Sequence, residues 1–131
     1  MATISEDYVS FETAKLLKEK GFDQNYATYY LDGQVWRHYH GEVIPKGKQI
    51  YAAPTQAVVM KWLREEFDLI TYVKLVNDGD LYHDAWGFSI YNKFTNESIK
   101  GHRLWFKYEE ACEAAIKYCL ENLINKKESS T

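Results

Sequence analysis

No run of apolar residues in this sequence approaches the roughly 20 that a helix needs to cross a bilayer, so no membrane-spanning helix is expected. Cysteine is scarce. The two that occur, Cys112 and Cys119, lie seven residues apart in a strongly helical segment. That spacing puts them about 10 Å apart along the helix, too far for a disulfide. They read as small core-facing residues of a cytosolic protein, with a reactive thiol as the alternative. Neither sign of charge dominates, since 16 Lys and Arg stand against 19 Asp and Glu for a formal charge of −3. Nothing global therefore attracts phosphate, and a nucleic-acid contact needs a local basic patch.

The opening residues, Met1 to Asp7, have neither the basic start nor the apolar centre of a secretory signal, so a cytoplasmic protein is expected. In that setting the sequon Asn96-Glu97-Ser98 carries no chemistry. Also missing are a phosphate-cradling glycine loop, Cys-x-x-Cys, His-Glu-x-x-His and a nucleophile elbow. The expectation is a protein that is not an enzyme and holds no cofactor. No repeat or low-complexity segment is present, which excludes a solenoid.

The composition is that of a folded domain: 131 residues, 46% hydrophobic and 27% charged. A single domain over 1–124 is expected, with 125–131 as a polar, frayed tail. Ser10 is placed to cap a first helix, with Val9 and Ala14 set for a hydrophobic staple. Ala14, Leu16 and Leu17 give its apolar side. Gly21 should end it in a left-handed turn, with Phe22 folding back onto Leu17. Two β-prone runs, 26–31 and 34–40, flank Asp32-Gly33, a strong hairpin signal. Gly41, Pro45 and Gly47 then read as a loop or irregular edge.

A second helix starts near Pro54-Thr55, either of which can mark its first turn, and shows Val58, Val59, Trp62 and Leu63 at helical spacing. Three further strands are expected: Leu69–Val76, a run alternating Trp86, Phe88 and Ile90 with Gly87, Ser89 and Tyr91, and 98–106. A last helix runs from about Tyr108 to Leu123 or Ile124, burying Ala111, Cys112, Ala115, Ile116, Cys119, Leu120 and Leu123. The fold class is thus α+β. It is expected as a two-layer sandwich in which an antiparallel sheet of about five strands is covered by about three helices, in the order α-β-β-α-β-β-β-α.

Three segments resemble a pattern in short uncharacterised proteins of gut bacteria and of their prophages and mobile elements. They are the stretch from Ser10 to Phe22, Ala53-Pro54-Thr55-Gln56 with Lys61-Trp62-Leu63-Arg64-Glu65, and Tyr108-Glu109-Glu110-Ala111. The chain departs from the pattern at Lys107, where a serine cap is common. The resemblance implies a small cytoplasmic accessory protein of mobile-element origin and no catalytic residues.

Several constellations could carry function. His38 and His40 project from one strand face, as two imidazole metal ligands must, with Glu42, His83, Asp84 or His102 as a third ligand. The plainer reading is polar positions on an exposed hairpin. Asp78, Asp80, His83 and Asp84 share a loop that could do acid–base work or hold a divalent cation, but Asn77-Asp78-Gly79-Asp80 is also ordinary turn chemistry. Lys100, Arg103 and Lys107 have no acid between them. On a strand Arg103, Trp105 and Lys107 would share a face able to stack bases and neutralise phosphates.

The aromatic excess is the most informative feature: eleven Tyr, six Phe and four Trp. Tyr29, Trp36, Arg37 and Tyr39 of the hairpin are the candidate partner-binding residues, because Tyr, Trp and Arg dominate protein–protein hot spots. The leading expectation is an accessory domain that binds a protein partner or a second copy of itself. The alternative is a nucleic-acid binder using Lys100, Arg103, Trp105 and Lys107.

Overall fold

A computed structural model describes residues 7–22, 28–31, 34–37, 50–76, 85–101 and 103–124, and among these residues lie three amphipathic helices and six short antiparallel strands. Helix α1, Phe11–Glu19, begins where expected. Ser10 is extended, and its hydroxyl oxygen accepts the Thr13 N–H at 3.2 Å. Val9 and Ala14 are both buried, as a staple requires. The other end is a Schellman turn. Gly21 sits at φ 94°, the Phe22 N–H donates to the Leu17 carbonyl at 2.9 Å, and the Gly21 N–H donates to that of Lys18 at 3.3 Å.

Helix α2, Gln56–Phe67, is capped by Thr55, whose hydroxyl accepts the Val58 N–H at 3.2 Å; Pro54 precedes the cap. It ends on Asp68 in the left-handed region. Helix α3, Tyr108–Tyr118, starts from Lys107, which offers no side-chain cap, and runs on into a π-helical turn, Cys119–Leu123. Ala111, Cys112, Ala115, Ile116, Cys119 and Leu120 are all buried along it, so the apolar stripe forms as its spacing dictates, with Leu123 packed at the margin.

The strands differ from the expectation in number and grouping. Strands β1, Thr28–Leu31, β2, Gln34–Arg37, and β3, Ile50–Ala52, form one sheet in the order β2-β1-β3. Strands β4, Leu69–Val76, β5, Ala85–Asn92, and β6, Glu97–Lys100, form a second in the order β4-β5-β6. Among the described residues, six strands in two sheets thus stand where about five in one sheet were expected. The extra one, β3, is three residues long, too short to show alternation, and it pairs with β1 across a long connection.

The third expected strand of the second sheet, 98–106, is also shorter than its sequence suggests. The β5–β6 register, continued, would bring Trp86 to Arg103, but Trp86 bridges Trp105 instead, two residues further along. The break falls after Gly101, whose N–H still donates to the Phe88 carbonyl at 2.9 Å and where a Cβ would sit 2.9 Å from the Phe88 ring. The surplus residues leave the ladder there, as in a bulge.

One cluster of buried side chains joins the helices to both sheets. It includes Leu17 of α1, Tyr30 of β1, Leu63 of α2, Leu69 of β4, Ile90 of β5 and Ile116 of α3. Tyr30 reaches across it to donate its hydroxyl to the Val9 carbonyl at 2.8 Å, with its ring 5.4 Å from that of Phe11.

A polar hub sits beside this core. The Glu113 carboxylate of α3 accepts the Ser10 N–H at 3.0 Å, the Ser10 hydroxyl at 2.7 Å and the hydroxyl of Thr13. Its other oxygen accepts the Gln56 amide at 3.2 Å, while Gln56 also donates to the Glu109 carbonyl at 3.0 Å. A capping box normally draws its acid from the third position of the same helix. Here that position is Thr13, and the carboxylate comes from α3.

Candidate functional surfaces

The hairpin residues chosen from sequence are placed by backbone pairing. Tyr29 stands opposite Trp36, and Thr28 opposite Arg37. Tyr39, His38, His40 and Glu42 lie outside the described residues, as do Asp78, Asp80, His83, Asp84 and His102, so both metal constellations fall there.

Of the basic residues, Lys100, Arg103 and Trp105 come together and Lys107 does not. Lys107 is the N-terminal cap of α3, while the other three line a groove of about 590 Å³ between the β6 end and α3. The residue row expected on one strand is therefore broken, because the pairing shifts by two residues between Gly101 and Trp105. What the break creates is a pocket wall. The Arg103 guanidinium lies 5.7 Å from the Trp105 ring centroid, a cation–π distance. Trp105 is stacked with Phe88 at 5.6 Å and 29°, and Tyr118 leans on Phe88 at 6.0 Å.

Helix α3 supplies the opposite wall with Ala114, Lys117, Tyr118, Glu121 and Asn122. Lys117 is held by the Glu12 carboxylate at 3.1 Å, and that bond keeps its ammonium above the ordinary lysine range. Sequence reading missed this wall. Lys117 and Glu121 sit four apart on the polar side of an amphipathic helix, which looks like any solvated face.

A second surface surrounds Trp86. Its register partner Leu75 is 50% exposed, and Tyr108, whose ring meets it edge-on at 5.1 Å, is 46% exposed. Next to its bridge partner Trp105 stand Leu104 and Phe106, 44% and 75% exposed. Leu104 covers Gly87, where a Cβ would approach it to 3.2 Å. Leu75 and Tyr108 thus flank one half-buried tryptophan at one end of the second sheet, while Leu104 packs on the Gly87 side, which alternates to the opposite face. Tyr72 is exposed elsewhere on that sheet, and Phe94 in the turn between β5 and β6.

The two thiols are chemically quiet. Cys119 is fully buried, and desolvation pushes its pKa up to about 12. Burial also raises that of Cys112. Among the described residues no helix is long and apolar enough to cross a membrane. The chain matches no protein-family model, no curated protein and no solved structure.

Proposed function

We propose that this protein is a non-enzymatic accessory domain, of mobile-element origin, that works by docking a protein partner on the apolar rim round Trp86. The observation that carries the reading is the placement of Leu75 and Tyr108, both about half exposed, against Trp86, with Leu104 and Phe106 exposed on either side of its bridge partner Trp105. Single exposed apolar residues are ordinary, but a cluster is the usual mark of an interaction site. A half-buried tryptophan with an exposed tyrosine edge-on to it has the make-up of a hot spot. A second copy of the chain is the first partner to test, because a two-fold axis lets one patch cover its equal.

Sedimentation velocity over a range of concentrations, with the wild type beside Phe106→Ser and Leu75→Ser, tests the homodimer. Affinity capture from the organism that encodes the chain, with the same variants as baits, tests a foreign partner. Loss of self-association or of a specific captured protein in both variants supports the reading. Identical behaviour of wild type and variants in both experiments removes it.

A further inference from the structure

The groove between the β6 end and α3 is unlike the apolar rim in chemistry, and the contact reading leaves it unused. Its floor is aromatic: Phe88 and Trp105 stacked on each other, with Tyr118 alongside. Its mouth is cationic. Lys100, Arg103 and Lys117 line it with Glu121; Lys117 is paired with Glu12, so Lys100 and Arg103 carry the excess positive charge, in a chain whose formal charge is −3. Charge of this sign, concentrated against the trend of the whole molecule, selects anions. The volume, about 590 Å³, lies inside the roughly 300–1,000 Å³ usual for small-molecule sites.

Two small residues keep the space open. Gly101 has no Cβ because the Phe88 ring lies where one would go, and Ala114 of α3 projects only a methyl group from the opposite wall. Arg103 is already ordered against Trp105, so less side-chain entropy is lost when it meets an anion. Planar rings stack on aromatic side chains and on guanidinium planes, and a carboxylate or phosphate oxygen pairs with the Arg and Lys donors.

We infer that this groove is a binding site for a small planar aromatic anion, one ring system carrying a single carboxylate or phosphate. The inference is independent of the docking rim. A polymer reads differently: a nucleic-acid strand needs a cationic track continuing beyond one unit. The fourth basic residue of the segment, Lys107, stands apart from the groove at the α3 cap.

Amide and indole NMR of the ¹⁵N-labelled protein tests this with three probes: adenosine monophosphate, indole-3-acetate and a single-stranded oligonucleotide. The expected result is saturable shifts centred on the Trp105 indole, Gly101, Lys117 and Tyr118 with at least one of the two small probes. The probe that binds more tightly distinguishes phosphate from carboxylate as the anion. Arg103→Gln should weaken binding at least about tenfold, the loss of one charge-assisted contact. Ala114→Leu, which fills the space and leaves every charge in place, should weaken it as well. Lys61→Gln, removing a cation from α2 outside the groove, should not. The inference is overturned if neither small probe shifts these resonances at millimolar concentration. It is equally overturned if only the oligonucleotide binds, or if Lys61→Gln weakens binding as much as Arg103→Gln.

Discussion

Three of the described residues carry left-handed backbone, and they show how much the side chain matters there. Gly21 at φ 94° has no Cβ to strain, whereas Asp68 and Asn96, at 58° and 62°, are types that enter this region with local hydrogen-bonding help. Gly21→Val should therefore lower stability by about 1–2 kcal/mol, while Gly21→Asn should cost distinctly less. Thermal melts of the two variants check this, and an equal effect would mean that backbone strain is not the cause. Cys119 gives a pH prediction. The unfolded thiol loses its proton near 9 and the folded one near 12, so from pH 9 upwards the unfolded state binds fewer protons. Its contribution is complete below about pH 9 and is lost as the pH climbs towards 12. Tyr30, raised by burial and then by Glu113, acts in the same direction above its ordinary value of 10.0. Urea titrations at rising pH should show stability falling across this window, and Cys119→Ala should flatten the first part of the fall. Ellman's reagent at neutral pH should leave Cys119 untouched in the native protein.

At the scale of elements, local chemistry was legible and distant pairing was not. Helices α1, α2 and α3 are written in residues a few positions apart: caps at Ser10 and Thr55, the stop at Gly21, the stripe from Ala111 to Leu120. The β1–β2 and β4–β5–β6 hairpins follow from short connections and alternation. The separation into two sheets depends on where β3 lands, and nothing within Ile50–Ala52 says so. Of the candidate sites, Arg103 and Trp105 could be picked out as a basic aromatic segment, but their groove needs α3 as its second wall. The hub is the clearest case of a feature hidden from sequence. Glu113 looks like a solvent-facing helix residue, and its partners Ser10, Thr13 and Gln56 are at least 57 residues away. Replacing Glu113 by Ala leaves Thr13, which is completely buried, without its acceptor. The expected cost is about 1–3 kcal/mol, read as a shift of the urea midpoint with an unchanged slope. Thr13→Ala should cost less on its own, and adding it to Glu113→Ala should cost little more, since both remove one shared contact. Strictly additive losses would show that the two groups do not interact.

At the scale of the molecule, two sheets could mean two units that melt separately. The packing argues against it. Tyr30 from the first sheet and Ile90 from the second lie in one buried cluster, and α1, α2 and α3 meet at Glu113. The 7–9 segment ties the ends further: Tyr8 bridges Thr55, the Val9 N–H donates to the Pro54 carbonyl at 3.0 Å, and the Gln56 N–H to that of Asp7 at 2.8 Å. Among the described residues these links join both sheets and all three helices, so the chain should unfold as one cooperative transition. Far-ultraviolet circular dichroism follows the helices, and Trp fluorescence follows Trp36 of the first sheet together with Trp62, Trp86 and Trp105. The two melting curves should coincide, and the calorimetric and van't Hoff enthalpies should agree. The Glu113→Ala variant sharpens the test. A hub that couples the helices should, when removed, move both curves together if the shared apolar core alone keeps the sheets in step. Curves that separate only in the variant would assign the coupling to the hub. Curves already separate in the wild type would mean that β4-β5-β6 and α3, with the groove and the apolar rim, form a unit independent of the first sheet.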